Sequence, residues 1–345
     1  MLKKILFNLQ VFFEKFRSFL VRFILKLLII IFICVIIHTV LKMSEISTNY
    51  TGTYKKLIGI DGNKLMNVYQ TGNGEKTIVI LPGFGTPSPI IHYKALTEGL
   101  KDEYKVIVIE YYGYGFSTNA NKERKNEIIA KEINTALMTI GVDKCVFLAH
   151  STSNLYASKY ASMYPDNVEA IISLDGIYPS EIENDYLRQK YQDDVRNTKI
   201  TAIFELTGFE RALSYIKPDE FYIDYMEKSN IYTDEDIKIY RNRIASSYLT
   251  TPMIKEIGML EKNMKELSKY KYASNLPVLQ ILASDTVKEY DSIKSETNKT
   301  LKQFANDMIS NPSIQSTVEI EGGHMLQFTS PNEVIERIKI FLQNF

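Results

Sequence analysis

The stretch VFLAHSTSNL, residues 146–155, carries an apolar run up to His150 and Ser151 and then turns at once into a helix-like pattern. A serine there is either a helix N-cap or a nucleophile held on a tight strand–turn–helix bend. Ala149 and Ser153 stand where the elbow pattern GxSxG has glycines, and both are small enough for the close approach of strand and helix. A serine hydroxyl needs a base within hydrogen-bond reach. The chain has four histidines, so elimination is possible. His38 lies in an apolar N-terminal run, and His150 adjoins the serine and points elsewhere. His92, in PSPIIHYK, opens what reads as a surface helix. His324, in EIEGGHMLQ, follows the last strand-like segment behind two glycines that free a loop to carry it. It is the expected base.

The base needs an orienting carboxylate. Asp285 closes the segment LPVLQILASD and gives the chain order Ser–Asp–His. Asp175 in SLDG also ends a strand and is the runner-up; Asp291 lies farther from a strand end. An oxyanion hole needs two backbone N–H groups aimed at one point. Thr152, next after the serine, supplies one, and Phe84 in LPGFG the other, with Gly85 as its alternative.

These residues need a scaffold. TYKKLIGI and KLMNVYQTG flank the turn signal DGN and read as an antiparallel hairpin. Then KTIVIL, YKVIVIEYY, KCVFLAH, VEAIISLDG, LPVLQILAS and STVEIEGG read as strands. They alternate with helices near 90–101, 123–140, after 151, 295–309 and 331–344. Such alternation predicts an α/β fold with a mostly parallel, doubly wound sheet. About a hundred residues between LDG and LPV carry no clear strand, which predicts a helical cap over the sheet's C-terminal edge. The core is expected in two parts, 53–180 and 276–345, with the cap at 181–275.

In this order LPGFG, EYYGYGFS, AHSTS, LASD and GGH resemble the α/β-hydrolase superfamily, in its capped serine-hydrolase branch, over residues 53–345. EYYGYGFS is similar to that family's D-x-x-G-x-G-x-S loop, with Glu110 in place of the aspartate; Gly113 and Gly115 permit its turn and Ser117 bonds locally. Pro82 replaces a histidine that often precedes the oxyanion glycine. The resemblance implies acyl transfer from a carboxylic ester through an acyl-enzyme, with a rate that falls as the imidazole is protonated. Serine in place of aspartate at the elbow argues against haloalkane dehalogenase or epoxide hydrolase chemistry. An aminopeptidase-type peptidase, an acyltransferase and a non-catalytic binding protein of the same fold are the alternatives.

The N-terminus is of another kind. Residues 23–41 are apolar all round and long enough to cross a bilayer, and no small-x-small cleavage site follows. They predict an uncleaved signal anchor. Residues 1–22 carry Leu9, Phe12, Phe13, Phe16 and Phe19 among basic residues, as an amphipathic cytoplasmic segment does. Lys3, Lys4, Lys15, Arg17, Arg22 and Lys26 precede or open the span against one acid, Glu14, which places the N-terminus in the cytoplasm and the catalytic domain outside. A lipid-like acyl substrate suits that site, and the apolar stretch IFELTGFERALSYI of the cap is expected to help line its pocket.

Lysine plus arginine equals aspartate plus glutamate, 41 each, so no basic field favours nucleic acid. Cys34 and Cys145 lie in separate apolar segments, form no disulfide on this reading and show no metal spacing. No cofactor or metal is expected.

Overall fold

The computed structural model describes residues 2–47 and 54–345. The expected hairpin begins one residue earlier, at Thr53, outside that range. Eight strands form one sheet in the order β1-β2-β4-β3-β5-β6-β7-β8. They are Leu57–Asp61 (β1), Lys64–Thr71 (β2), Thr77–Leu81 (β3), Lys105–Glu110 (β4), Cys145–His150 (β5), Val168–Leu174 (β6), Val278–Ala283 (β7) and Gln315–Ile320 (β8). β1 and β2 pair antiparallel, β2 joins β4 antiparallel, and β3 to β8 run parallel. The mostly parallel, doubly wound sheet read from the sequence is the one observed.

Parallel strands buried on both faces need apolar residues at every position, and the core shows this. Val79, Ile107, Phe147 and Ile171 point to one face, and Ile78, Ile80, Val108, Val146 and Leu148 to the other. The main helices are Leu2–Ser47 (α1), Lys94–Leu100 (α2), Asn126–Thr139 (α3), Ser153–Met163 (α4), Asp185–Glu205 (α5), Phe209–Ile216 (α6), Asp234–Ser247 (α7), Thr251–Leu267 (α8), Ser284–Ser292 (α9), Leu301–Asp307 (α10) and Pro331–Leu342 (α11). α3 and α4 cover the first face; α2 and α11 cover the second.

α5 to α8 fall in the stretch expected to form a cap. α8 nonetheless joins the main core through Met253, Ile257, Leu260 and Met264. Glu256 on α8 accepts from the hydroxyls of Tyr114 and Tyr156 at 3.0 and 2.9 Å, which fixes the helix to the sheet's loops. α5 also reaches the main core, through Leu187.

α1 runs unbroken for 46 residues, about 70 Å at helical rise. The amphipathic and apolar segments share one axis. Within it, Leu6–Ser44 is long and apolar enough to cross a membrane.

The EYYGYGFS loop is built as its glycines require. Gly113 and Gly115 have φ of +85° and +47°. A Cβ on Gly115 would lie 2.1 Å from the Glu110 carboxyl. Glu110 Oε2 accepts from the Phe116 N–H at 2.6 Å and the Asn67 amide at 3.0 Å, and Ser117 donates to the Glu110 carbonyl at 2.6 Å. Burial pushes the Glu110 carboxyl up to about 7, from 4.5. Between those values the folded chain keeps a proton that the unfolded chain has lost, so this group's contribution to stability falls as pH rises. The full change is up to ~3 kcal/mol. Thermal melts by circular dichroism should show Glu110→Gln gaining in Tm relative to the wild type between pH 5 and 8; a constant difference would contradict a buried, proton-holding Glu110.

Candidate active site

Ser151 sits where β5 ends and α4 begins, with φ +54°. A non-glycine residue in this region is strained, and the strain lifts its side chain clear of both elements. Crowding at the corner explains the small neighbours. A Cβ on Gly83 would lie 2.7 Å from the His150 ring and 3.1 Å from Ser151 Cβ. Ser153, where a glycine is usual, is accommodated by partners: its hydroxyl donates to the Pro82 carbonyl at 2.5 Å and accepts from Tyr111 at 2.8 Å. Ala149 is fully buried in the sheet.

His324 reaches over the strand ends from the loop after β8. Its Nε2 lies 3.1 Å from Ser151 Oγ and its Nδ1 lies 2.6 Å from Asp175 Oδ2. The carboxylate that meets the His324 ring is thus Asp175, which follows β6. Asp175 is itself in a left-handed conformation, φ +42°, and buried. Its Oδ1 accepts from the Ala283 N–H at 2.8 Å and its Oδ2 from the Thr286 hydroxyl at 2.6 Å.

Asp285, the first choice from the sequence, does not reach the histidine. The reason is that α9 starts at Ser284, immediately after β7, so Asp285 lies in a helical first turn. An acid there complements the helix dipole. Its carboxylate faces solvent and pairs with Lys288 at 2.9 Å. Asp291, the more distant candidate, lies near the end of the same helix.

The two expected oxyanion residues adjoin each other. The Phe84 N–H donates to the Thr152 hydroxyl at 3.0 Å, beside Ser151. Gly85, the alternative to Phe84, has φ +75° and forms the turn that follows.

Two residues beyond those read from the sequence hold this arrangement. His150 Nε2 lies 3.1 Å from the His324 carbonyl, which can only accept, so Nε2 carries the proton. Its Nδ1 then accepts from the Tyr93 hydroxyl at 2.9 Å, and that hydroxyl accepts in turn from the Gly83 N–H at 3.1 Å. Burial pushes the His150 imidazole well below its ordinary value, so it stays neutral and keeps this tautomer. A neutral histidine thereby ties the oxyanion loop to the loop of His324. The apolar run before His150 signals its burial; its partners lie 57 and 174 residues away and leave no local sign.

A cavity of about 400 Å³ opens beside the site. Phe84 to Pro87 and Met325 form its floor, and Tyr222, Tyr240, Tyr248 and Leu249 its walls. Asp194, Asn197, Thr198 and Thr201 of α5 close one side. His92 is no surface residue: it is buried at this cavity, between the Tyr240 hydroxyl at 3.1 Å and the Gln327 amide at 2.7 Å. Burial lowers it to about 3, so it is a neutral wall. The apolar residues of IFELTGFERALSYI are absent from the lining; those of them that are exposed face away from the cavity.

Residues 76–215 match the family model for the alpha/beta hydrolase fold. The protein YbdG of Bacillus subtilis (strain 168) is 25% identical over 290 residues, 83% of this chain and 85% of YbdG. The Karrikin insensitive 2 receptor IA of Petunia hybrida is 30% identical over 116 residues, 32% of this chain and 41% of the receptor. Among solved structures, a laboratory-evolved variant of potato epoxide hydrolase StEH1 superposes with a TM-score of 0.63 at 19% identity, covering 84% of this chain and 99% of its own. With the sheet order and the strained corner at Ser151, these likenesses make the chain an α/β-hydrolase-fold protein.

Proposed function

We propose that this protein is a membrane-anchored serine hydrolase that cleaves carboxylic esters through an acyl-enzyme. The observation that supports it most is the continuous hydrogen-bonded line from Ser151 Oγ through His324 to the buried Asp175. Ser151 Oγ attacks the ester carbonyl carbon as His324 Nε2 takes its proton. Asp175 holds the ring and stabilises the imidazolium. The tetrahedral oxygen takes the N–H groups of Phe84 and Thr152, displacing the Thr152 hydroxyl from the Phe84 N–H. The C–O bond breaks, the proton on His324 passes to the departing alcohol, and the acyl group stays on Ser151. Water, deprotonated by His324, then releases the acid and restores the serine.

Although solved epoxide hydrolases share the fold, the elbow residue here is a serine, which supports acyl transfer over epoxide hydrolysis. The cavity wall of tyrosines and leucine suits an apolar acyl or alcohol group. Its two carboxylates, Asp194 and Glu220, are exposed rather than buried to receive an amine, which favours an ester over an N-terminal peptide. α1 serves as the anchor, with the basic N-terminal residues in the cytoplasm and the α/β domain on the other side.

A fluorophosphonate probe should label the wild type and Ser153→Ala but not Ser151→Ala. Folded wild type that takes no label would favour a binding protein, a role suggested by the receptor among its relatives. In steady-state assays Asp175→Asn should lose about three to four orders of magnitude in kcat. Asp285→Asn should stay within about twofold, as a solvated residue does; equal losses in both would remove Asp175 from the line. Across p-nitrophenyl esters of rising acyl length and matching aminoacyl amides, kcat/KM should rise with chain length and stay low for the amides. The opposite order would move the assignment to a peptidase.

A further inference from the structure

α6 is inside out for a helix on a water-soluble surface. Its polar residues Glu210 and Ser214 are buried, while Phe209, Tyr215 and Ile216 are exposed, Ile216 at 75%. The preceding turn and the end of α5 continue the face with Ile203, Phe204 and Leu206, each more than half exposed. The rings of Phe204 and Phe209 lie 6.4 Å apart, so the face is continuous. Water does not favour such an arrangement; a contiguous apolar patch of this kind marks an interaction surface.

The position of α1 says what meets it. The only buried residue of the apolar run is His38, whose ring would lie 2.8 Å from a Cβ on Gly208, the residue before α6. His38 Nε2 also stands 4.0 Å from Glu205. α1 touches α7 as well. His38 precedes the end of the run at Leu41 by three residues, about 4–5 Å of helix. Residues flanking Gly208 therefore sit at the depth where hydrocarbon meets headgroups, where an amphipathic helix rests its apolar side.

We propose that the exposed face of α5 and α6 is seated in the bilayer leaflet that α1 leaves, so that the cap is a second, peripheral membrane contact. This rests on the reading of α1 as a membrane anchor. It also assigns the apolar residues of the cap to lipid rather than to the substrate cavity.

The chain has no tryptophan, so a single introduced one reports its own surroundings. Phe209→Trp and Ile216→Trp would be made in the full chain, with Ile30→Trp as a report on the anchor. Met138→Trp, at the end of α3 on the far edge of the sheet, is the water-exposed reference. Each would be reconstituted in phosphatidylcholine nanodiscs with and without acyl-brominated lipid. Both cap reporters should lose about half or more of their emission to the brominated chains, and the Met138→Trp protein none. Cap reporters left unquenched while Ile30→Trp is quenched would overturn the proposal and leave the anchor standing. Blue-shifted but unquenched cap reporters would mean cover by protein, a second copy included, and would also overturn it. Quenching at the cap with none at Ile30→Trp would support the lipid seat and refute the span; no quenching at any position would end both.

Discussion

One buried carboxylate holds this site together. Asp175 lies after β6, yet its oxygens take the N–H that closes β7, the hydroxyl of Thr286 in α9 and the ring of His324 beyond β8. Its own N–H donates to the Ile281 carbonyl at 2.7 Å. The ends of three adjacent strands thus converge on one side chain. A buried charge is tolerated when donors surround it, and here they also set the distance between His324 and Ser151. The left-handed backbone at Asp175 and at Ser151 is the strain that this convergence sustains.

His150 supplies the matching constraint from the opposite side. Asp175 holds the His324 ring, and His150 holds the His324 backbone. A charged His150 would need an acceptor at Nδ1, where the Tyr93 hydroxyl already spends its one proton. Burial keeps the ring neutral and so preserves the bracket. Two adjacent residues, His150 and Ser151, therefore serve separate ends: the first positions loops, and the second presents its hydroxyl to His324.

Much of this was legible in the chain. Strands buried on both faces are continuous apolar runs, so β3 to β7 read directly; β8 is an edge strand with Ser316 and Glu319 exposed, and the two glycines before His324 mark its end. Ser151, His324, Phe84 and Thr152 all come after strand ends; Ser151 and His324 lie within hydrogen-bond reach, and the Phe84 N–H meets Thr152 beside them. Asp285 misled because it too follows a strand, and strand-end position alone does not say how soon a helix begins. The local signal was present: Ser284, Asp285 and Lys288 place an acid in a first turn and its ion-pair partner three residues on, as a helix start does. SLDG, by contrast, sets a glycine behind the aspartate. A Cβ on Gly176 would lie 2.3 Å from Ser173 Oγ, so the space behind the aspartate takes a glycine. His92 misled in the other direction, since its partners Tyr240 and Gln327 come from 148 and 235 residues away.

Hydropathy failed in the cap for a different reason. An apolar segment reports that it avoids water, and it does not report whether protein or lipid takes water's place. α5 carries both kinds of surface on one helix. Asp194, Asn197, Thr198 and Thr201 recur at helical spacing and line the cavity, while Ile203 lies on the other side and is exposed. A cap serving only to wall an apolar pocket would carry the reverse distribution. On the proposed membrane seat, the contact between His38 and Gly208 sets the height of the cap, and α5 stands between bilayer and cavity.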